Sequence, residues 1–202
     1  MTRWILVDYG EVISVPQSTE TIVELASLAG QEPDEFRERY WRFRLPYDLG
    51  QSDDAYWSEV LDRDLSTETD LVEEMVRVDV AGWMTLNPQT LPTLLEFANE
   101  ADARLALLSN APESLAIAID ASGWSSNFVR RFFSCRLELA KPNIEVFEAV
   151  LGELGAAPQS VLFIDDRTEN TQAAATLGIQ TARFTSVEEL AHLLDDWESE
   201  MR

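Results

Sequence analysis

Three short apolar runs in this 202-residue chain each end in groups that can hold a metal or a phosphate. Trp4-Ile5-Leu6-Val7 ends in Asp8, Leu105-Ala106-Leu107-Leu108 in Ser109-Asn110, and Val161-Leu162-Phe163-Ile164 in Asp165-Asp166. A fourth group stands out by usage: of 15 basic residues, 14 are arginine and one is lysine, Lys141 in Leu139-Ala140-Lys141-Pro142. A chain that otherwise uses Arg keeps a Lys where a compact ammonium on a flexible stem is needed. Brought together, three aspartates would repel one another and raise at least one pKa. A hard dication with oxygen ligands removes that repulsion, and beside a phosphate the usual one is Mg²⁺. With Lys141 as a second cation, the set could neutralise the charge that develops on a transferring phosphoryl group.

Such residues act together only if the fold converges them. The runs are almost continuously apolar rather than alternating, which suits parallel strands covered on both faces. Strands are expected over residues 4–8, 104–109, 160–165 and, more weakly, 180–184, with 131–134 as a possible fifth. Helical patterns lie between them: 88–100 after Asn87, 112–122 opening on Pro112, 143–154 before Gly155, 170–177 before Gly178, and 187–198. Pro at a helix start and Gly just past its end follow from their backbone preferences. Alternating strands and helices predict an α/β, doubly wound, Rossmann-like parallel sheet, in which the carboxyl ends of the strands form one ligand-binding edge.

Residues 16–85 break this rhythm. They show no buried strand but helical patterns over 19–29, 34–45, 53–61 and 68–83. Residues 1–15 and 86–202 are therefore expected to form the core, with 16–85 as an all-helical insertion after the first strand. An aromatic and arginine cluster there supplies Trp41, Arg44, Tyr47 and Trp57 as the expected lining of a substrate pocket.

Composition narrows the partners. A formal net charge of −22 opposes nucleic acid and anionic membrane surfaces, both of which bind through Lys and Arg. No apolar stretch approaches the ~18 residues of a membrane span, and the first run meets Asp8 too early for a signal peptide. The single histidine, His192, sits in a C-terminal helical pattern and is expected at the surface. One histidine rules out a multi-histidine zinc site and leaves little room for a Ser-His-Asp triad. One cysteine, Cys135, cannot form an internal disulfide; a small buried side chain in a cytoplasmic protein is the expectation.

In order, Asp8-Tyr9-Gly10-Glu11-Val12, Leu107-Leu108-Ser109-Asn110, Ala140-Lys141-Pro142 and Phe163-Ile164-Asp165-Asp166-Arg167 resemble the four motifs of the haloacid dehalogenase superfamily. Glu169-Asn170 through Leu177-Gly178-Ile179 continues the fourth. The insertion resembles the helical cap of the subgroup that contains sugar-phosphate phosphatases and the phosphatase domain of soluble epoxide hydrolase. The resemblance implies a Mg²⁺-dependent phosphatase acting on a small phosphorylated metabolite. It casts Asp8 as the nucleophile that forms an aspartyl-phosphate and also binds the metal, with the carbonyl of Gly10, Asp165 and Asp166 as further metal ligands. Asp165 is expected to ligate directly and Asp166 to ligate or to hold metal-bound water and Lys141. Ser109 and the Asn110 backbone would cradle the phosphate, and Lys141 would stabilise nucleophile and phosphate together.

One position departs from the pattern. Most phosphatases of the family carry a second Asp, the general acid and base, where this chain has Gly10. Losing such a group typically costs about 10²–10⁴ in rate. Glu11 is adjacent, but in an extended segment Asp8 and Gly10 would face one way and Glu11 the other. The alternatives are therefore a catalytically weakened binding protein, favoured by Gly10, and a metal-free haloacid dehalogenase, against which the Asp165-Asp166 pair weighs.

Overall fold

The computed structural model describes residues 2–200. Five parallel strands form one sheet in the order β3-β2-β1-β4-β5: β1 (Arg3–Val7), β2 (Ala103–Ser109), β3 (Arg130–Phe133), β4 (Val161–Asp165) and β5 (Gln180–Arg183). The weakly expected strands near 131 and 180 are thus the two sheet edges, where fewer apolar residues are needed. The central strands alternate between two buried layers. Ile5, Val7, Leu105, Leu107, Leu162 and Ile164 belong to one core cluster, and Trp4, Leu6, Ala106, Leu108, Val161 and Phe163 to the other. Both faces are covered, so both parities are apolar, as a doubly wound sheet requires.

The helices that cover it are amphipathic. Leu91, Leu94 and Phe97 of α6 (Thr90–Glu100), Leu115 and Ile119 of α7 (Glu113–Ala121) and Leu190 and Leu194 of α11 (Val187–Glu200) join the first layer. Val146, Phe147 and Val150 of α9 (Ile144–Leu154) and Ala174 of α10 (Thr168–Thr176) join the second. A single short turn, α8 (Ser134–Leu137), follows β3. The chain leaves α9 through Gly155 at φ 59° and reaches β5 through Gly178 at φ 84°, left-handed angles that cost glycine nothing. His192 is exposed. Cys135 is only half-buried, not the core side chain expected, and its thiol donates to Glu113 Oε2 at 3.3 Å.

Between β1 and α6 the chain forms α1 (Thr19–Ala29), α2 (Pro33–Arg42), α3 (Arg44–Asp48), α4 (Asp53–Leu61) and α5 (Thr69–Trp83). These helices share a core of their own, with Phe36, Tyr40, Tyr47, Tyr56 and Trp57 all fully buried. Tyr47 stacks on Tyr56 with ring centroids 4.0 Å apart, and Tyr56 tilts against Trp57 at 4.7 Å. Such pairs add about 0.5–1.5 kcal/mol each beyond area burial. The two connecting segments run together: Ser14 bridges Leu86, Val15 N–H donates to Thr85 O at 2.9 Å, and Asn87 N–H to Ile13 O at 2.8 Å. Of the described helices none is long and apolar enough to cross a membrane.

Candidate active site

The register of the sheet assembles the site. Val7 pairs with Leu107 on one side and Ile164 on the other, so the next residues, Asp8, Leu108 and Asp165, reach the carboxyl edge together. β1 is also where the strand order reverses, the crevice in which ligands bind open α/β sheets. Asp8 caps its strand, with its N–H on Ile164 O at 2.9 Å and its Oδ1 accepting from Tyr9 N–H at 2.7 Å.

Lys141 is buried at this edge and holds two aspartates at once. Its Nζ lies 2.6 Å from Asp8 Oδ1 and 2.7 Å from Asp165 Oδ2, and donates to Leu108 O at 3.0 Å. Its loop is fixed by Asn110, whose Nδ2 donates to Lys141 O at 2.8 Å and whose Oδ1 accepts from Lys141 N–H at 2.9 Å. Neither Ser109 nor Asn110 caps α7; its N-cap position is Pro112.

Asp8, Asp165 and Asp166 each present an oxygen within 4.8 Å of the others. Burial, only partly offset by Lys141 and reinforced by the charges of Asp165 and Asp166, pushes the Asp8 carboxyl up to about 7. Burial followed by the charges of Asp165 and Glu11 also raises Asp166. Burial works against the Lys141 ammonium, but Asp8 and Asp165 outweigh it and hold its pKa above the ordinary lysine value. Two of the three carboxylates share one ammonium and the third lies beside them, and the chemistry of this donor set fits a hard dication.

The adjacent aspartates differ in how they are engaged. Asp165 accepts from Lys141 Nζ, from Arg167 N–H at 2.9 Å, and from Asn170 Nδ2 at 2.9 and 3.0 Å on its two oxygens. A carboxylate offers about four lone-pair sites, so these contacts nearly saturate it. Asp166 is half-buried and lines the cavity above. The hold on Lys141 expected of Asp166 therefore falls to Asp165, and Asp166 is the one with oxygens facing open space. Asn170, buried in the first turn of α10, stands in the sequence only as part of the fourth motif's continuation and not as a site residue.

The expected alternation beyond β1 does not hold. The chain turns out of the strand at Asp8 into an irregular turn, Tyr9–Ile13, with Gly10 at φ −62°, ψ 130° and Glu11 at φ 59°, ψ 2°. The left-handed Glu11 is exposed, lines the same cavity as Asp8 and adds to the negative field on Asp166. Ser14 Oγ accepts its N–H at 3.3 Å. Gly10 sits at an angle open to any residue, and a Cβ there would meet Trp83 Cζ3 at an ordinary 3.7 Å.

Above the carboxylates lies a cavity of about 250 Å³. Of the residues expected to line it, Trp41 and Arg44 do, whereas Tyr47 and Trp57 do not. Those two are buried in the helical insertion, and Tyr47 directs its hydroxyl to Asp53 and Ser114, because helix packing turns them away from the edge. Leu45, Asp48, Trp83, Leu115 and Arg167 complete the upper wall. Behind it, Tyr40 is a hub. Its hydroxyl donates to Asp79 Oδ1 at 2.7 Å and accepts from Trp83 Nε1 at 3.1 Å and from Arg44. Arg44 also pairs with Asp48 at 2.8 Å and Asp79 at 3.3 Å.

Residues 5–178 match the family model described as haloacid dehalogenase-like hydrolase. A HAD family enzyme from Bacteroides thetaiotaomicron, solved as an aspartate-to-alanine mutant with magnesium and inorganic phosphate, shares the fold: TM-score 0.76, 21% identity, covering 96% of this chain and 99% of that one. Among curated proteins, flavin mononucleotide hydrolase 1 of Arabidopsis thaliana is 37% identical over 65 residues, 32% of this chain and 26% of its own length. Drimenol cyclase drtB of Aspergillus calidoustus is 26% identical over 199 residues, 96% of this chain and 36% of its own. The chain thus spans only about a quarter to a third of these curated relatives.

Proposed function

Because this chain belongs to the haloacid dehalogenase-like hydrolase family, we propose that it is a Mg²⁺-dependent phosphatase acting on a small phosphorylated metabolite through an aspartyl-phosphate. The observation that carries this reading is Asp8, held by Lys141 beneath a cavity and beside two further carboxylates. Asp8 is the nucleophile, attacking phosphorus with the oxygen that is not held by Lys141. Lys141 screens nucleophile and phosphoryl group from each other's charge. Ser109 and the Asn110 backbone receive the phosphate oxygens, and the clamp of Asn110 on Lys141 fixes the distance between the two loops.

Asp8, Asp166 and the carbonyl of Gly10 are assigned as the groups that hold Mg²⁺, with Asp165 anchoring Lys141 beside them. The ion would supply charge neutralisation at the phosphoryl oxygens. The helical insertion serves as the cap, closing the cavity from above and contributing Trp41 and Arg44 to it. The unpaired Cys135 fits a cytoplasmic setting. A metal-free dehalogenase has no use for the carboxylate grouping at Asp166, and the net charge gives no support to a nucleic-acid role.

The test is hydrolysis of a panel of phosphomonoesters with and without Mg²⁺. Turnover should require the ion, and Asp8→Asn should lower it by about 10⁴-fold or more while the fold persists, since an amide is no anionic nucleophile. Beryllium fluoride should occupy Asp8 alone. Undiminished turnover by the Asn variant would remove the nucleophile, and binding without hydrolysis of any ester would move the protein to the weakened reading that Gly10 favours.

A further inference from the structure

The upper wall of the cavity has a chemistry of its own. Trp41 and Leu45, one helical turn apart across the α2–α3 junction, are 44% and 56% exposed, among the few large apolar side chains left open to solvent. Both line the cavity, and with buried Trp83 and Leu115 they put four apolar side chains opposite its polar floor. Trp41 stands edge-on to Trp83, with ring centroids 6.3 Å apart and planes at 86°. Two planar faces meeting at a right angle make a corner that suits a flat ring. Of the charged residues of this wall, Arg44 and Asp48 are paired with each other, which leaves Arg167 at its rim. Arg44 Nε is bonded to Asp48 and its Nη1 to Tyr40 and Asp79. Beside Trp41 and Leu45 a sugar hydroxyl would meet an Arg44–Asp48 pair already engaged. At about 250 Å³ the cavity lies below the ~300–1,000 Å³ usual for ligand pockets, so it encloses a compact group rather than a large one.

A second observation points the same way. The wall facing Gly10 is the ring of Trp83, so neither the residue nor its neighbour in space offers a proton to a leaving oxygen. A phenol ionises near ~10, whereas an alcohol resembles water at ~15.7, so an aryl oxide departs unprotonated far more readily.

We propose, resting on the phosphatase reading above, that the substrate is a compact aryl phosphate whose one- or two-ring leaving group seats against Trp41, Leu45, Trp83 and Leu115. In the first step Asp8 Oδ forms a bond to phosphorus as the P–O(aryl) bond breaks, and the electron pair leaves on the aryl oxygen, which then takes a proton from water. In the second, water splits the acyl phosphate to restore Asp8 and release inorganic phosphate.

The experiment compares 1-naphthyl phosphate, glucose 6-phosphate and acetyl phosphate on the full chain with Mg²⁺, then repeats the comparison with Trp41→Ala and Leu45→Ser. Acetyl phosphate has a good leaving group too small to reach the wall. The naphthyl ester should exceed the sugar ester in kcat/KM by about 10²-fold or more. Each variant should lower the naphthyl-to-acetyl ratio by about tenfold. Both positions are substantially exposed, so the variants should fold. Independently of turnover, 1-naphthylphosphonate should quench tryptophan fluorescence in Asp8→Asn, and less so when Trp41→Ala is added. If acetyl phosphate is hydrolysed but the naphthyl ester is no better than the sugar ester, or the ratio ignores both variants, the inference fails and the phosphatase reading stands. If none of the three esters is hydrolysed, the phosphatase reading fails and takes the inference with it.

Discussion

Two regions of this molecule bury ionised groups, and they do so to different ends. In the helical insertion, Asp79 receives Tyr40, Gln17 Nε2 at 2.9 Å and Arg44, and Arg44 in turn grips Asp48. At the sheet edge, Asp8 and Asp165 share Lys141, Asp166 lies beside them with the charge of Arg167 to offset its own, and Asp8 is left with a carboxyl pushed up to about 7. Buried polar groups in folded proteins are nearly always satisfied. A cluster whose charges are paired serves the fold. One that falls short by a cation, at the bottom of a cavity, is poised for a ligand.

The sharpest way to break this comparison is to remove the cation from each cluster. Lys141→Met leaves Asp8 and Asp165 buried and uncompensated. It should cost about 3–5 kcal/mol of stability and, in the molecules that remain folded, about 10²–10³ in rate. Arg44→Met should cost a similar amount of stability in denaturant melts but far less rate per folded molecule. Equal loss of activity in both would erase the distinction between the regions.

The next largest effect concerns the missing acid. Gly10→Asp has ordinary backbone angles and space for a Cβ, so it should fold. It should raise hydrolysis of alkyl phosphates selectively, by about 10²-fold. Glu11→Gln separates the remaining source of protons: a loss of about 10²-fold would make Glu11 the substitute acid, and little change would make it a rim residue. Either role is within reach of Glu11, because it faces the cavity rather than away from it.

Mg²⁺ should correct the imbalance at the edge and leave the insertion untouched. At a hundredfold excess over its dissociation constant it should stabilise the protein by about 2.7 kcal/mol. The effect should depend on pH. Asp8 has an ordinary value of 3.8 and a folded value of about 7. Between those values the folded state binds more protons than the unfolded one, so the stability of the metal-free protein falls as pH rises through that window. The melting-temperature gain from Mg²⁺ should therefore be larger at pH 8 than at pH 5, and larger in the parent than in Asp166→Ala. A gain independent of pH would place the ion elsewhere.

The smallest effect tests the hub behind the wall. Tyr40→Phe strips a partner from Asp79, Trp83 and Arg44. It should cost about 1–3 kcal/mol and raise KM several-fold with little change in kcat. A fall in kcat alone would mean that the insertion acts on the chemistry and not only on the seat of the substrate.

The sheet and its edge were legible in the sequence because continuous apolar runs have few other uses, and each ended in a polar residue that register then aligned. Lys141 was legible by its rarity. Which of Asp165 and Asp166 is tied to Lys141 was not, since neighbours at a strand end diverge and only the tertiary fold sets Asn170 and Lys141 beside the first. Glu11 was misplaced by assuming that the strand continued past Asp8. In the insertion, aromatic composition could not tell Tyr47 and Trp57, which fill its core, from Trp41 and Trp83, which face the cavity. That choice depends on how five helices pack, and no period in the sequence records it.

The central place of β1 has a kinetic consequence. Trp4 pairs with Arg104 and Val161, 100 and 157 residues further along, while the helices of the insertion pack on one another within residues 19–83. Pairings of such long range form slowly, because the loop must close before any contact rewards it. In refolding, the stacked aromatics around Trp57 should regain their native fluorescence first, and the affinity for Mg²⁺ should return only when the first strand finds its place between two others made long after it.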